Sequence, residues 1–151
     1  MKLEFLQLIS PALPVGAFSY SEGLEWLVQN KKVHDEISLF NWLESELSRG
    51  QITIEATSIA HIMKDLVDWR DKKDEQYKSL IEEWNSWLTS LRDSPEIRSQ
   101  QTQMGESLLQ LLIDLGHPLP NNEKKFIWPI AWAWAGVCWD IPQIDLVEGF
   151  L

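Results

Sequence analysis

Residues 6–25 read LQLISPALPVGAFSYSEGLE, a stretch unlike the helical pattern of the rest of this 151-residue chain. Pro11 and Pro14 fix the φ angle and lack a backbone N–H donor, so no regular helix or strand continues through them. The hydroxyl side chains of Ser19 and Ser21 precede an apolar run, and such residues are typical N-caps. The stretch therefore predicts a bend that is followed by the start of a helix.

The apolar residues of this bend allow two interpretations. The first is a buried connection between helices, because packing explains most apolar residues in folded chains. The second is a surface that meets a partner. Under the second interpretation, Phe18, Tyr20 and Glu22 are the side chains presented to the partner. Tyr20 fits both interpretations, because its ring buries well while its hydroxyl group requires a hydrogen bond.

The chain resembles UreF, a family of urease accessory proteins, in two places. The first match is to the N-terminal signature of the family and consists of residues 6–8 (LQL), 10–21 (SPALPVGAFSYS) and 23–25 (GLE). The second, weaker match consists of residues 96–98 (EIR), 103–105 (QMG) and 108–109 (LL). The resemblance implies an all-helical, non-catalytic chaperone that supports nickel insertion into urease. Its implied partners are UreD (also called UreH), the GTPase UreG and the urease apoprotein, with a homodimer as a further alternative.

The resemblance also suggests where partners bind, because the candidates lie in or beside its matching segments. The partner-interface candidates are Phe18, Tyr20, Glu22, Glu25, Arg98, Gln103 and Gly105. Gly105 permits close approach between helices because it has no side chain, while Arg98 is alternatively a solvated charge. A transient nickel path lined by Glu22 or Glu25 is suggested by the family analogy alone.

Proteins that resemble UreF normally continue beyond residue 151 of this chain with further helices and a C-terminal tail rich in Gly and Gln. We therefore expect a shortened member or a fragment, in which residues 1–151 form one UreF-like helical domain. The absence of that region puts dimerisation and partner binding in question.

The overall composition narrows the class of function. The chain has 23 acidic and 13 basic residues, which gives a formal net charge of −10. Nucleic-acid binding requires clustered Lys and Arg to neutralise phosphates, so no nucleic-acid partner is expected. The single cysteine excludes an internal disulfide and fits a reducing compartment. No run approaches the ~18–20 apolar residues of a membrane span, so we predict a cytoplasmic protein without a membrane partner.

Helical periodicity runs through almost the whole chain and predicts an all-α fold, a single-domain orthogonal bundle of about seven or eight helices. The first four helices are expected over residues 2–9, over 23–30, from a cap at Asp35 to Gly50, and over 53–69. On the third, the predicted apolar face consists of Leu39, Trp42, Leu43 and Leu47. On the fifth, it consists of Leu80, Ile81, Trp84, Trp87, Leu88 and Leu91.

The remaining helices carry the strongest packing signals. The sixth begins at Ser94-Pro95 and stops at Gly116. Its predicted buried seam is broken only by Gln101 and consists of Ile97, Met104, Leu108, Leu111 and Leu115. Residues 126–140 are rich in Trp and Ala and are apolar nearly all round, which predicts a buried helix. A rival interpretation of this stretch is a helical small-ligand-binding protein or enzyme with a Trp-lined pocket near residues 128–139. One more short helix is expected after Pro142.

Residues suited to catalysis or metal binding do not form a recognisable site in the sequence. Residues 19–23 (SYSEG) fail the G-x-S-x-G pattern of serine hydrolases at its first position, and no phosphate-binding P-loop is present. His34, His61 and His117 are far apart in sequence, and Cys138 lies in the Trp-rich stretch, where a free thiol behaves as a small hydrophobe. We therefore predict no catalytic, cofactor or metal site, and a chain that is not an enzyme.

Overall fold

The structure, a computed structural model, describes residues 2–17 and 23–151. Within these ranges the chain forms eight α-helices: α1 (Leu3–Leu8), α2 (Leu24–Gln29), α3 (Glu36–Arg49), α4 (Gln51–Lys72), α5 (Glu75–Ser90), α6 (Pro95–Asp114), α7 (Trp128–Cys138) and α8 (Gln143–Phe150). A short 3-10 turn at Pro120–Asn122 lies between α6 and α7. The described ranges contain no strand, and the predicted all-α fold is confirmed.

Side-chain caps begin α3 and α6 where the sequence predicted them. Asp35 Oδ1 accepts a hydrogen bond from the Ser38 amide at 2.8 Å, and Ser38 Oγ accepts one from the Asp35 amide at 3.0 Å, so the two residues form a capping box before α3. Ser94 Oγ accepts a hydrogen bond from the Ile97 amide at 3.2 Å at the start of α6. Gly116, with φ +86, follows the last turn of α6 in the left-handed conformation that suits glycine.

The longest helix is α4, which extends beyond its predicted bounds at both ends. Gly50 ends α3 and is also the N-cap of α4, so α4 begins at Gln51 rather than at Thr53. At the other end, Lys72 Nζ lies 2.8 Å from Asp68 Oδ1, an i,i+4 ion pair that supports one more helical turn. The buried apolar face of α4 consists of Ala56, Ile59, Ile62, Leu66 and Trp69.

The Trp-rich helix α7 lies at the centre of the core and packs against both α4 and α6. Every residue from 129 to 137 is buried, so the prediction of a helix enclosed by other helices is confirmed. Burial of indole rings is tolerated because their N–H groups find backbone acceptors: Trp132 Nε1 donates to Leu146 O and Trp134 Nε1 donates to His117 O, each at 3.0 Å.

The seam predicted for α6 is wrong over its second half. Met104 and Leu108 are buried, but Leu115 is 55% exposed and Leu111 is only partly buried. The buried face instead consists of Gln100, Gln101, Met104, Gly105, Leu108, Leu109 and Leu112. The reason is Gly105, whose lack of a side chain lets the backbone that leads into α7 approach this face, so that residues three and four positions away also turn inward.

The outer helices α3 and α5 are less buried than their periodicity suggests. Of the face predicted for α5, Ile81 and Leu88 are fully buried, whereas Leu80 and Trp87 are 38% and 44% exposed. Helix α3 contributes no buried residue and packs mainly against α4. No helix in the described ranges is both long enough and apolar enough to cross a membrane.

Candidate partner-binding surface

The bend at residues 10–17 is anchored at both of its ends. Leu8 and Val15 are 2% and 5% exposed, and both belong to the hydrophobic core. The Leu13 amide donates to Ser10 O at 3.0 Å, and the Val15 amide donates to Leu13 O at 2.8 Å, so the backbone between the anchors is held in turns. Helix α1 before the bend is itself attached, because Lys2 Nζ donates to Trp139 O at 2.6 Å at the end of α7. The bend is therefore a fixed feature of the surface.

Between its anchors the bend faces outward. Pro11, Ala12, Pro14 and Gly16 are exposed, and Leu13 is partly buried. The interpretation of the bend as a buried connection is therefore wrong for these residues. Two exposed prolines on a fixed backbone form a surface that loses little conformational entropy when a partner binds.

A groove of about 780 Å³ separates the bend from α6. One wall consists of Pro14, Val15 and Gly16, and the other includes Gln103, Glu106 and Ser107 of α6. Gln103 is exposed to this groove from the second segment that resembles the family, while the bend belongs to the first. The fold thus brings together two segments that are almost ninety positions apart in the sequence.

The end of the groove carries two cations on an ordered loop. Lys124 and Lys125 line it, and Lys124 Nζ donates to Gln110 Oε1 at 3.0 Å. Glu123 Oε1 accepts hydrogen bonds from the amides of Lys124 and Lys125 at 2.9 and 3.2 Å, and these bonds hold the pKa of the Glu123 carboxyl below its ordinary value. This end of the groove therefore has a polar, mixed-charge character suited to the rim of a protein interface.

Two smaller clefts flank the bend, and large apolar side chains contribute to the lining of both. One, of about 480 Å³, lies between the bend and the end of α6 and is lined by side chains that include Leu6, Leu13, Leu111, Leu115 and Trp139. The other, of about 460 Å³, lies on the opposite side and is lined by side chains that include Trp128, Trp132 and Phe150. Large apolar side chains that line clefts beside an exposed bend are typical of the anchor pockets of protein interfaces.

Four of the other candidates lie in or next to the first segment that resembles the family. Phe18, Tyr20 and Glu22 lie outside the described residues, as do the predicted caps Ser19 and Ser21. Glu25 is exposed in the first turn of α2.

The two other candidates from the second segment have packing roles within the chain. Arg98 is exposed, but its guanidinium donates from Nε and Nη2 to Arg92 O at 3.1 and 3.0 Å, so it fixes the loop between α5 and α6. Gly105 is buried, and a Cβ placed on it lies 2.1 Å from Phe126 O. It therefore permits a close approach, as predicted, but between α6 and the chain's own segment before α7.

A buried ion pair links α4 to the loop between α5 and α6, a pairing that the sequence does not indicate. Arg92 Nη2 contacts Glu55 Oε1, and the two residues are 8% and 4% exposed. They are 37 positions apart, and no local spacing rule joins them. The signal available in the sequence was only that Glu55 falls on the face of α4 that also carries Ala56 and Ile59.

The histidines and the cysteine occupy separate places. His61 stacks on Trp84 with ring centroids 6.2 Å apart, His34 is exposed beside Asp35, and the His117 carbonyl accepts the Trp134 bond. Burial raises the pKa of the Cys138 thiol to about 12, so the thiol stays protonated at neutral pH. In residues 2–17 and 23–151, no three His, Cys, Asp or Glu side chains lie close enough together to hold a metal ion.

The comparison with known families agrees with this architecture. The UreF family model matches residues 33–151, which is most of the chain. The chain belongs to the UreF family. The proteins that it resembles, each named urease accessory protein UreF, include one from Prochlorococcus marinus that is 42% identical over 147 residues, covering 95% of this chain. Others come from Synechocystis, 38% identical over 159 residues and 99% of this chain, and from Microcystis aeruginosa, 38% identical over 146 residues and 97%.

These UreF proteins are longer than the chain. It spans 64%, 67% and 63% of the three relatives, respectively. The alignments cover at least 95% of this chain and so extend N-terminal to the part matched by the UreF family model, which begins at residue 33.

Proposed function

We propose that the chain is a non-catalytic adaptor in urease maturation. In this role it binds UreD (UreH) and the GTPase UreG in the cytoplasm, and the assembly inserts nickel into the urease apoprotein. The family membership and the relatives' name, urease accessory protein, support a role in urease maturation. Nickel is the cargo of the assembly, and this chain contributes protein–protein contacts.

The observation that carries the proposal is the meeting of the bend with α6. A partner that covers the groove contacts Pro14 and Gly16 on one side and Gln103 on the other. Because the bend is held by buried anchors and by its own turns, little ordering is needed when the partner binds. The flanking apolar clefts add surface that a partner removes from water, worth about 25 cal/mol for each Å² buried.

The proposal is tested by co-purification of the chain with UreD and UreG, followed by light scattering to size the complex. The informative variant is Gln103→Lys, which places a longer, charged side chain in the groove without altering the core. The matched control is Gln76→Lys, at an exposed position on α5. Both variants add one positive charge to an acidic protein, so a general electrostatic effect changes both equally.

We expect the chain to elute with UreD, and we expect Gln103→Lys to weaken that association at least tenfold while Gln76→Lys leaves it unchanged. Circular dichroism checks that both variants keep their helical content. A folded chain that binds neither partner contradicts the adaptor role. Equal binding by the two variants contradicts the assignment of the groove.

A further inference from the structure

Helix α3, which follows the bend in the sequence, has an apolar face that is exposed to solvent. Ile37 is 72% exposed, Phe40 62%, Leu43 44% and Leu47 46%. These four residues, the α3 stripe, are spaced by three, three and four positions and therefore lie on one side of the helix. Side chains of this size at these exposures present on the order of 450 Å² of apolar surface, comparable to the largest patch on a typical monomer.

The opposite side of α3 already serves the fold. Leu39 and Trp42 are partly buried on the side that packs against α4. An amphipathic helix needs one apolar face to attach it to its domain, and Leu39 and Trp42 provide that face. The α3 stripe is therefore a second apolar face, which the helix does not need for its own attachment.

The charges on this side of α3 favour a basic partner. Glu36 and Glu44 are exposed, and helical geometry places both within the angular range of the stripe. The basic residue of α3 is Arg49, whose guanidinium donates to Ser45 Oγ at 3.3 Å on another side of the helix. The charges on the side of α3 that carries the stripe are thus negative, and the whole chain has a formal net charge of −10.

A second copy of the chain matches this surface poorly. Two α3 helices packed antiparallel about a two-fold axis near Leu43 bring Glu44 of one copy close to Glu44 of the other. Like charges placed opposite each other at an interface are unfavourable, and the two chains also repel through their net charge. An anionic membrane surface is repelled for the same reason.

We propose that the α3 stripe docks a basic amphipathic helix of another protein. The partner helix places apolar residues at i, i+3, i+4 and i+7 against the four stripe side chains, as in other helix-to-helix recognition. Its Lys or Arg residues flank that apolar row and face Glu36 and Glu44. This proposal stands on the stripe itself and does not depend on the adaptor role.

The test measures binding of a fluorescently labelled 18-residue helical peptide of Leu and Lys, by anisotropy at two salt concentrations. Ile37→Ser removes an apolar contact from the stripe, and its matched control is Ile144→Ser on α8, where the isoleucine is 67% exposed. Glu44→Lys reverses a charge on the side of α3 that carries the stripe, and its matched control is Glu83→Lys, at an exposed position on α5. All four residues are exposed, so the variants keep the core intact.

We expect Ile37→Ser to weaken peptide binding at least fivefold and Glu44→Lys at least threefold, with the second effect shrinking at high salt. The two controls bind as the unaltered chain does. Equal weakening by a stripe variant and its control overturns the proposal, because binding then follows net charge or general hydrophobicity. Light scattering that shows a dimer dissociated by Ile37→Ser also overturns it, because a second copy then occupies the stripe.

Discussion

Replacing Gly105 by alanine tests the contact that sets the inward face of α6. The added Cβ meets Phe126 O at 2.1 Å, the Ile127 carbonyl carbon at 2.6 Å and the Trp128 amide nitrogen at 2.9 Å. Ordinary contacts begin near 3.4 Å, so the backbone before α7 must move by roughly 1 Å. Overpacking of this kind costs about 3 kcal/mol, at the upper end of the usual range, because backbone atoms cannot change rotamer.

Alanine also favours the helix, which offsets part of that loss. Glycine in a helix interior is about 1 kcal/mol less favourable than alanine, so the net loss for Gly105→Ala is about 2 kcal/mol. For a chain of this size, each 1 kcal/mol lowers Tm by about 2–4 °C, which predicts a decrease of roughly 4–8 °C.

Gly136→Ala in α7 is the matched control, since it gains the same helix propensity. Its Cβ meets Leu146 Cδ2 at 2.2 Å, Cδ1 at 3.1 Å and Cγ at 3.2 Å, all atoms of one side chain, whereas the Cβ at position 105 meets backbone atoms. The expected net change is close to zero, within about 1 kcal/mol. Urea unfolding followed by circular dichroism measures both free energies of unfolding. Gly105→Ala as stable as the unaltered chain, or Gly136→Ala the more destabilised of the two, refutes the reasoning.

Two further predictions concern the ion pair and the capping box. Glu55→Gln leaves the buried Arg92 guanidinium without its anionic partner and is expected to lower the free energy of unfolding by about 3 kcal/mol. The double variant Glu55→Leu, Arg92→Met removes both charges and is expected to lose less stability. Urea unfolding of the unaltered chain and of the two variants measures these differences. Hydrogen bonds from the Ser38 side chain and amide hold the pKa of Asp35 in the folded chain below its ordinary value. The contribution of Asp35 to folding stability is therefore fully present above about pH 4, the pKa of an unfolded Asp. It is lost as the pH falls through the lower pKa of the folded chain. Asp35→Asn keeps a capping side chain that does not titrate, and its stability is expected to fall less between pH 4 and pH 2; parallel acid dependence of the two chains contradicts the assignment.

The sequence indicated part of the candidate surface, through two prolines and through the family resemblance. The two prolines predicted an interruption between helices, and the resemblance to UreF selected the bend together with Gln103. The sequence did not reveal that the bend and Gln103 line opposite walls of one groove, because that juxtaposition depends on how α6 packs. It also did not separate Gln103, which is exposed, from Gly105, which is buried two positions later.

Local features of the sequence were sufficient to predict that the chain is helical. The capping box at Asp35, the Ser94-Pro95 start and the apolar composition of α7 each act within a few residues, so the all-α fold follows from them. Tertiary structure alone decided which apolar face is buried. Periodicity shows that a helix has such a face, but burial depends on what lies opposite it. In α6, Gly105 allows the segment before α7 to approach, and the face around Gly105 is buried. In α3, no helix of the described chain covers Phe40.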